Sequence, residues 1–254
     1  MKRCGTSSVQ WLEFDLFRRI PGLVHGVFLR QGGVSAPPFS SLNLSEDVGD
    51  DPAAVMRNWD LVADSLGLDG IVKARQCHGK RVVCASGKLV WEGCDGLITM
   101  QKGLGVAIRH ADCQVAFMYD PVTEAIAMVH AGWRGQVLNI YERALDVLRV
   151  QCGALPENVL VGISPSIGPL HARLDYTQGK MLLPPSFFSF EKTPLHFNLW
   201  ELARAQLMAC GVHRDNIEIA ELCTFSHPED FFSFRRDQGV TGRNVSVMGR
   251  LHAS

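Results

Sequence analysis

Residues 109–135, RHADCQVAFMYDPVTEAIAMVHAGWRG, decide the fold. Two short apolar runs, 114–120 and 125–131, flank the turn PVTE and read as consecutive strands of one sheet. Beyond Gly135 the period lengthens, and Val137, Ile140, Tyr141, Ala144, Leu145 and Leu148 line one face of a helix that stops near Gly153. Strand, strand and helix in such quick succession place the chain in the α+β class. The same stretch sets Cys113 before the first run and His130 inside the second. Such residues are most often inert core filling; the alternative is that both serve one chemical centre.

On the N-terminal side, VHGVFLR (24–30) reads as a strand ended by the Gly32 and Gly33 pair. Asp50 or Asp51 caps a helix that starts at Pro52, repeats apolar residues at Val55, Trp59, Val62 and Leu66, and ends at Gly67. Further strands are predicted at RVVCAS (81–86), GLITM (96–100) and GVAIRH (105–110). C-terminal to the central stretch come a strand at VLVGIS (159–164) and a second helix. That helix is capped by Asn198 with Glu201 at the capping-box position, and its apolar face is Leu199, Leu202, Ala203 and Leu207. Residues 217–250 read as strands around loops and a hairpin. No linker, repeat or low-complexity block interrupts the chain, so residues 1–254 are expected to form one α+β domain with mixed sheets. The residues before the 24–30 strand are expected at its periphery.

With 46% hydrophobic and 20% charged residues the composition is that of a soluble globular protein, and no apolar run approaches the roughly 18 residues of a membrane span. No apolar segment of a secretory signal follows the opening MKR, which points to the cytoplasm. A net charge of −1 supplies no general basic field for nucleic acid or an anionic membrane, so a small-molecule partner is expected. The eight cysteines show no framework spacing and are expected to be reduced thiols. Nothing in the sequence sets an oligomeric state.

His78 joins Cys113 and His130 as a candidate, because Gly79 lets the backbone turn beside it in QCHG. All three fall at strand-to-loop boundaries. Steps of 35 residues from His78 to Cys113 and 17 on to His130 match no compact zinc-finger pattern. The chemistry is more telling, since one thiolate and two imidazoles suit Zn²⁺ and leave a fourth position for water or substrate. Cys113 as a nucleophile with His130 as its base is the competing arrangement. Asp112 is a candidate to orient a ligand or move a proton, and Arg30 and Arg134 are candidate donors to a bound anion. Arg235, Arg236 and Asp237 are placed at the rim of the site or in structural ion pairs.

Taken together, RHADCQVAFMYD, HAGWRG, QCHG, LRQGGVSAPPFSSLNL, VGDDPAAV, SIGP and FFSFRRDQGVTGR make the chain resemble the YfiH-type family, also called laccase-domain or peptidoglycan editing factor proteins. The resemblance implies a layered α/β/β/α sandwich with mixed sheets. It also implies a zinc site at His78, Cys113 and His130. The implied activities are phosphorolysis of purine nucleosides, with adenosine deamination alongside, or removal of misincorporated serine from a peptidoglycan precursor. A metal-free regulatory binding protein is the non-enzymatic alternative. The family's older copper polyphenol oxidase label fits the residues poorly. A four-copper oxidase needs roughly ten histidines in paired clusters, whereas this chain has nine, scattered. A single copper would need Met118 or Met128 as axial ligand, so copper ranks behind zinc. The chain departs from the family where many members carry Cys-Cys-Tyr-Glu, having Leu170, His171, Ala172 and Arg173, and where they carry Cys-Thr-Tyr-Cys, having CTFS with Ser226. Both departures bear on substrate preference.

Overall fold

In a computed structural model, which describes residues 1–86, 89–174 and 183–252, the alternating strands build two stacked sheets with helices outside both. In chain order the strands are β1 (Lys2–Gly5), β2 (Gln10–Glu13), β3 (Leu23–Phe28), β4 (Gly70–Arg75), β5 (Val82–Cys84), β6 (Val90–Glu92), β7 (Gly96–Thr99), β8 (Leu104–His110), β9 (Gln114–Tyr119), β10 (Ile126–Ala131), β11 (Leu160–Ile163), β12 (Glu191–Thr193), β13 (His196–Phe197), β14 (Ile217–Ile219) and β15 (Asn244–Arg250). The helices are α1 (Pro52–Leu66), α2 (Trp133–Val137), α3 (Ile140–Cys152) and α4 (Leu199–Ala209). One sheet runs β1-β2-β3-β15-β8-β4-β6 and the other β14-β11-β9-β10-β7-β5. Each is mixed. In the first, β4 is parallel to β6 and β8; in the second, β5 is parallel to β7 and β11 to β14.

The period of two along each strand explains the layers. Val115, Phe117 and Tyr119 of β9 and Ile126 and Met128 of β10 point between the sheets, meeting Val72, Val106, Ile108 and Met248 of the other sheet. Ala116, Met118, Ala127 and Val129 point the opposite way, onto Tyr141, Ala144, Leu145 and Leu148 of α3. On the far side, Ile71, Ala107, Val245 and Val247 receive Val55, Trp59, Val62 and Leu66 of α1. The result is the expected α/β/β/α order. Each fully buried side chain of this size contributes about 1.5–3 kcal/mol of transfer free energy, so a one-residue slip of β9 or β10 would exchange their two sets of faces at large cost.

Helix α1 forms as its signals predict. The Asp51 side chain accepts the Ala53 N–H, Pro52 opens the helix, and Gly67 closes it at φ 64°, a left-handed conformation glycine adopts without strain. Asn198 caps α4 by accepting from the Glu201 N–H. The helix after Gly135 differs from expectation. It is broken between Val137 and Ile140 by Asn139 at φ 51°, a conformation asparagine tolerates better than most residues. Val137 of α2 packs against the cluster that contains Phe197 and Leu199 instead of joining the α3 stripe.

One further expectation is corrected. The C-terminal strands do not pair as a hairpin, because β14 joins the six-stranded sheet beside β11 whereas β15 lies in the seven-stranded sheet between β3 and β8. The N-terminal residues form the edge strands β1 and β2 and also supply core side chains. Phe14 and Phe17 are fully buried, and the Phe14 N–H donates to His25 Nε2 at 2.8 Å. Among the described residues, no helix is long and apolar enough to cross a membrane.

Candidate metal centre

Sheet register explains why residues far apart in sequence meet. Antiparallel β9 and β10 pair Val115 with His130, so Cys113, just before β9, lies beside the end of β10. Strand β7 pairs Gly96 with Val129, which puts Asp95 next to His130, and parallel β5 pairs Val82 with Gly96, which brings in the 77–79 loop. The donor atoms of His78, Cys113 and His130 all lie within 4.8 Å of one another. The two imidazole rings stand nearly perpendicular, with centroids 4.9 Å apart.

Asp95 organises this cluster, and no spacing in the sequence marks it. It is fully buried, and its Oδ1 accepts the His78 N–H at 2.9 Å and faces His130 Nδ1 at 2.9 Å. Its Oδ2 accepts the Gly79 N–H at 2.8 Å and the Cys77 N–H at 3.3 Å. With Nδ1 of His130 held by a carboxylate, Nε2 is the nitrogen left for a metal, the outer-shell arrangement usual for metal-bound histidine. Burial opposes ionisation of Asp95, but hydrogen bonds from His130 and the Gly79 N–H outweigh it and hold the carboxyl well below the usual carboxylate range. These bonds also hold His78 at φ 59°, a left-handed conformation that costs a non-glycine residue of order 1–3 kcal/mol.

Burial pushes the Cys113 thiol up, yet the His130 and His78 rings facing it prevail and bring it below its ordinary value. His130 moves the opposite way, because Cys113 and Asp95 outweigh its desolvation. His25 shows the inert alternative: burial outweighs the nearby Glu13 carboxylate and takes it down to about 4, and it serves as a core acceptor. One soft sulfur and two imidazole nitrogens converging in this way fit zinc. Neither Cys223 nor His227 belongs to the group. Cys223 Sγ accepts the Gly168 N–H at 3.1 Å, and His227 Nδ1 faces the Cys223 carbonyl at 2.9 Å.

A side chain at Gly132 would crowd the cluster. A Cβ there would sit 3.0 Å from Cys113 Sγ and 3.2 Å from His78 Cδ2. Gly132→Ala is therefore expected to weaken zinc binding about tenfold or more, the scale of other disturbances just outside the ligands. Competition with a chromogenic chelator measures it, and wild-type affinity would refute this role of Gly132.

The cluster lies in the wall of a cleft of about 500 Å³. Arg134 and Asp112 line it; Arg30 is not brought to it. Arg30 spends its guanidinium on the carbonyls of Ser40 and Pro228, at 3.0–3.1 Å, and lies over the Phe232 ring. Arg134 is exposed, makes no ion pair among the described residues and rests over Trp133. Both Asp112 oxygens are engaged, one by Thr224 Oγ1 at 2.6 Å and one by the Arg235 N–H at 2.7 Å, so Asp112 joins two loops to the strand end. Arg235 rims the cleft, whereas Arg236 and Asp237 pair with each other and tie down their own loop. The sequence reading also missed Arg75, Arg109 and Arg243, which line the cleft from three strand ends. Of the residues that depart from the family pattern, Ala172 lines the cleft, Leu170 is exposed, and His171 stacks on Phe225. The Arg173 carbonyl accepts from Arg235 at 2.8 Å, and the Ser226 N–H donates to the Cys223 carbonyl at 3.1 Å.

A family model described as "Multi-copper polyphenol oxidoreductase laccase" matches residues 24–251, and the chain belongs to this family. The chain is 33% identical over 249 residues to "Purine nucleoside phosphorylase YlmD" of Bacillus subtilis, covering 91% of this chain and 90% of that one. It is 34% identical over 238 residues to "Purine nucleoside phosphorylase" of Deinococcus radiodurans, with 91% of each covered. Among solved structures, YlmD from Geobacillus stearothermophilus superimposes with a TM-score of 0.87 at 28% identity over 98% of both chains. The hypothetical protein YfiH of Bacillus licheniformis gives 0.84 at 29% identity over 97% of both.

Proposed function

We propose that this family member is a zinc-dependent purine nucleoside phosphorylase with His78, Cys113 and His130 as its metal ligands. The carrying observation is their convergence on the wall of an open cleft, with no fourth described protein donor to close the site. The names of the relatives supply the substrate class. When bound, zinc supplies a Lewis acid at the cleft wall. The chain's own residues do the rest. Asp95 fixes the His130 ring and the 77–79 loop, and Asp112 holds the loops that carry Thr224 and Arg235 against the cleft. Exposed Phe234 offers the purine a flat apolar face, and Arg134 brings an unpaired cation to the rim. In the reaction a phosphate oxygen bonds to C1′ of the ribose. The C1′–N9 bond breaks, and its electron pair leaves on the purine, which takes up a proton.

Copper is the weaker fit. Among the described residues one His/Cys/His group is drawn together, too few donors for a multicopper cluster. Met118 is packed against the α3 layer and Met128 between the sheets. With zinc-loaded protein, inosine is expected to give hypoxanthine and ribose 1-phosphate at a rate that saturates with phosphate. Free ribose would show that water is the acceptor, and ammonia from adenosine would report deamination at the same centre. Should both nucleosides stay intact while a serine-containing peptidoglycan precursor is cleaved, the nucleoside reading is wrong.

A further inference from the structure

Three guanidiniums enter the cleft from the ends of three neighbouring strands. Strands β15, β8 and β4 are adjacent in the seven-stranded sheet. Val245 pairs with Arg109 and Lys73 with Ala107, so Arg243, Arg109 and Arg75 come side by side at one sheet edge. Strand alternation puts all three on the α1 face, in phase with Val245, Ala107 and Ile71 of that face's core. They extend past the core into the cleft that holds the metal cluster.

Their partners are unequal. Arg75 pairs with Glu92 at 3.1 Å and Arg109 with Asp47 at 3.2 Å. Arg243 has no carboxylate within ion-pair distance among the described residues. Its Nη1 donates to the Thr241 and Gly242 carbonyls at 2.8 and 3.0 Å, which fixes the group's direction without bringing a carboxylate into contact. Burial, then the nearby charge of Arg109, pushes Arg243 below its ordinary value. Asp112, Asp47 and the Cys113 sulfur act on Arg243 only from a distance, and Asp112 has both oxygens held by Thr224 and the Arg235 N–H. A half-buried, rigidly held guanidinium with no carboxylate in contact, beside a second one, gains most from a ligand that brings negative charge directly against it.

We propose that Arg243, backed by Arg109, is the cleft's seat for a phosphate dianion. A guanidinium fork matches phosphate oxygens bidentately, and the carbonyl bonds already orient it. The dianion has two chemical sources, free inorganic phosphate or the phosphate of a nucleoside monophosphate. The free-phosphate assignment rests on the phosphorolysis reading above; the seat itself does not.

The test titrates inorganic phosphate, and separately inosine 5′-monophosphate, into zinc-loaded wild type, Arg243→Ala and Arg243→Lys by calorimetry. Inosine kinetics at varied phosphate run alongside. Losing a charge-assisted contact is worth about tenfold to a hundredfold in affinity. Arg243→Ala is expected to weaken phosphate binding by that factor and to raise the KM for phosphate far more than the KM for inosine. Arg243→Lys, which keeps the charge but not the fork, should fall between. If the loss appears with the monophosphate and not with free phosphate, the seat stands with the nucleotide as its source. Unchanged binding of both ligands in both variants would overturn the seat, and so would a loss confined to kcat. Should Arg243→Ala fold poorly, Arg243→Lys alone decides. Products are scored separately: wild-type protein that binds phosphate through Arg243 yet releases free ribose would refute phosphorolysis and leave the seat intact.

Discussion

His78→Ala is expected to give a folded protein that loses its zinc on dialysis and turns over inosine about a thousandfold more slowly, equivalent to about 4 kcal/mol of transition-state stabilisation. The fold should survive because the His78 side chain is exposed at the cleft, and the backbone bond from its N–H to Asp95 does not need the ring. The substitution also separates two chemistries. Cys113, brought below its ordinary value, faces His130, raised above its own, and such a pair resembles an activated thiolate and its base. If that dyad performs the reaction, removing His78 leaves both partners in place and most of the rate remains. Near-normal turnover in His78→Ala with zinc absent by elemental analysis would overturn the metal reading. A covalent substrate adduct on Cys113 would do the same.

The second large effect is expected at Asp95. In Asp95→Asn an amide of the same shape has one acceptor atom where two are needed. Oδ1 serves the His78 N–H and His130 Nδ1, and Oδ2 serves the Gly79 and Cys77 N–H groups. With a metal on His130 Nε2 the proton stays on Nδ1, so whichever way the amide turns, its NH₂ meets two donors. Each buried donor left without a partner costs about 1–3 kcal/mol, so a loss of about 3–5 kcal/mol in urea unfolding is expected, with zinc affinity down about tenfold to a hundredfold. The pH dependence has a definite sign. Because the folded carboxyl lies below its unfolded value, its contribution is complete above about pH 4, the ordinary carboxylate value, and is lost as the pH falls below it. Chelator-treated wild type should therefore show an acid-side loss of stability that Asp95→Asn lacks. Equal unfolding midpoints for the two proteins at neutral pH would sink this account.

Local physics was legible in the sequence wherever one element carried its own signal. The Asp51 cap, Pro52 and Gly67 bounded α1 at its observed residues, because caps act within a single turn. The two short apolar runs in 114–131, parted by the PVTE turn, set β9 and β10, because a strand bounded by a turn is a local signal. The residue types His78, Cys113 and His130 were chosen from chemistry and from a family resemblance. The interruption at Asn139 went unread, since its neighbours keep helical spacing on either side and nothing in that pattern reveals a change of direction.

Tertiary structure alone decided what depends on pairing between distant strands. Asp95 lies in GCDG with no motif around it, and it becomes the anchor of the centre only because β7 sits between β5 and β10. Arg30 looked like an anion donor beside a glycine pair, yet folding directs it to the carbonyls of Ser40 and Pro228. Arg243 stands 134 residues beyond Arg109, and the register of β15 on β8 brings them together. A sequence states which groups are present and what each prefers nearby. Hydrogen-bond register and the burial of charge are properties of the assembled sheets, and they determine which of those groups act together.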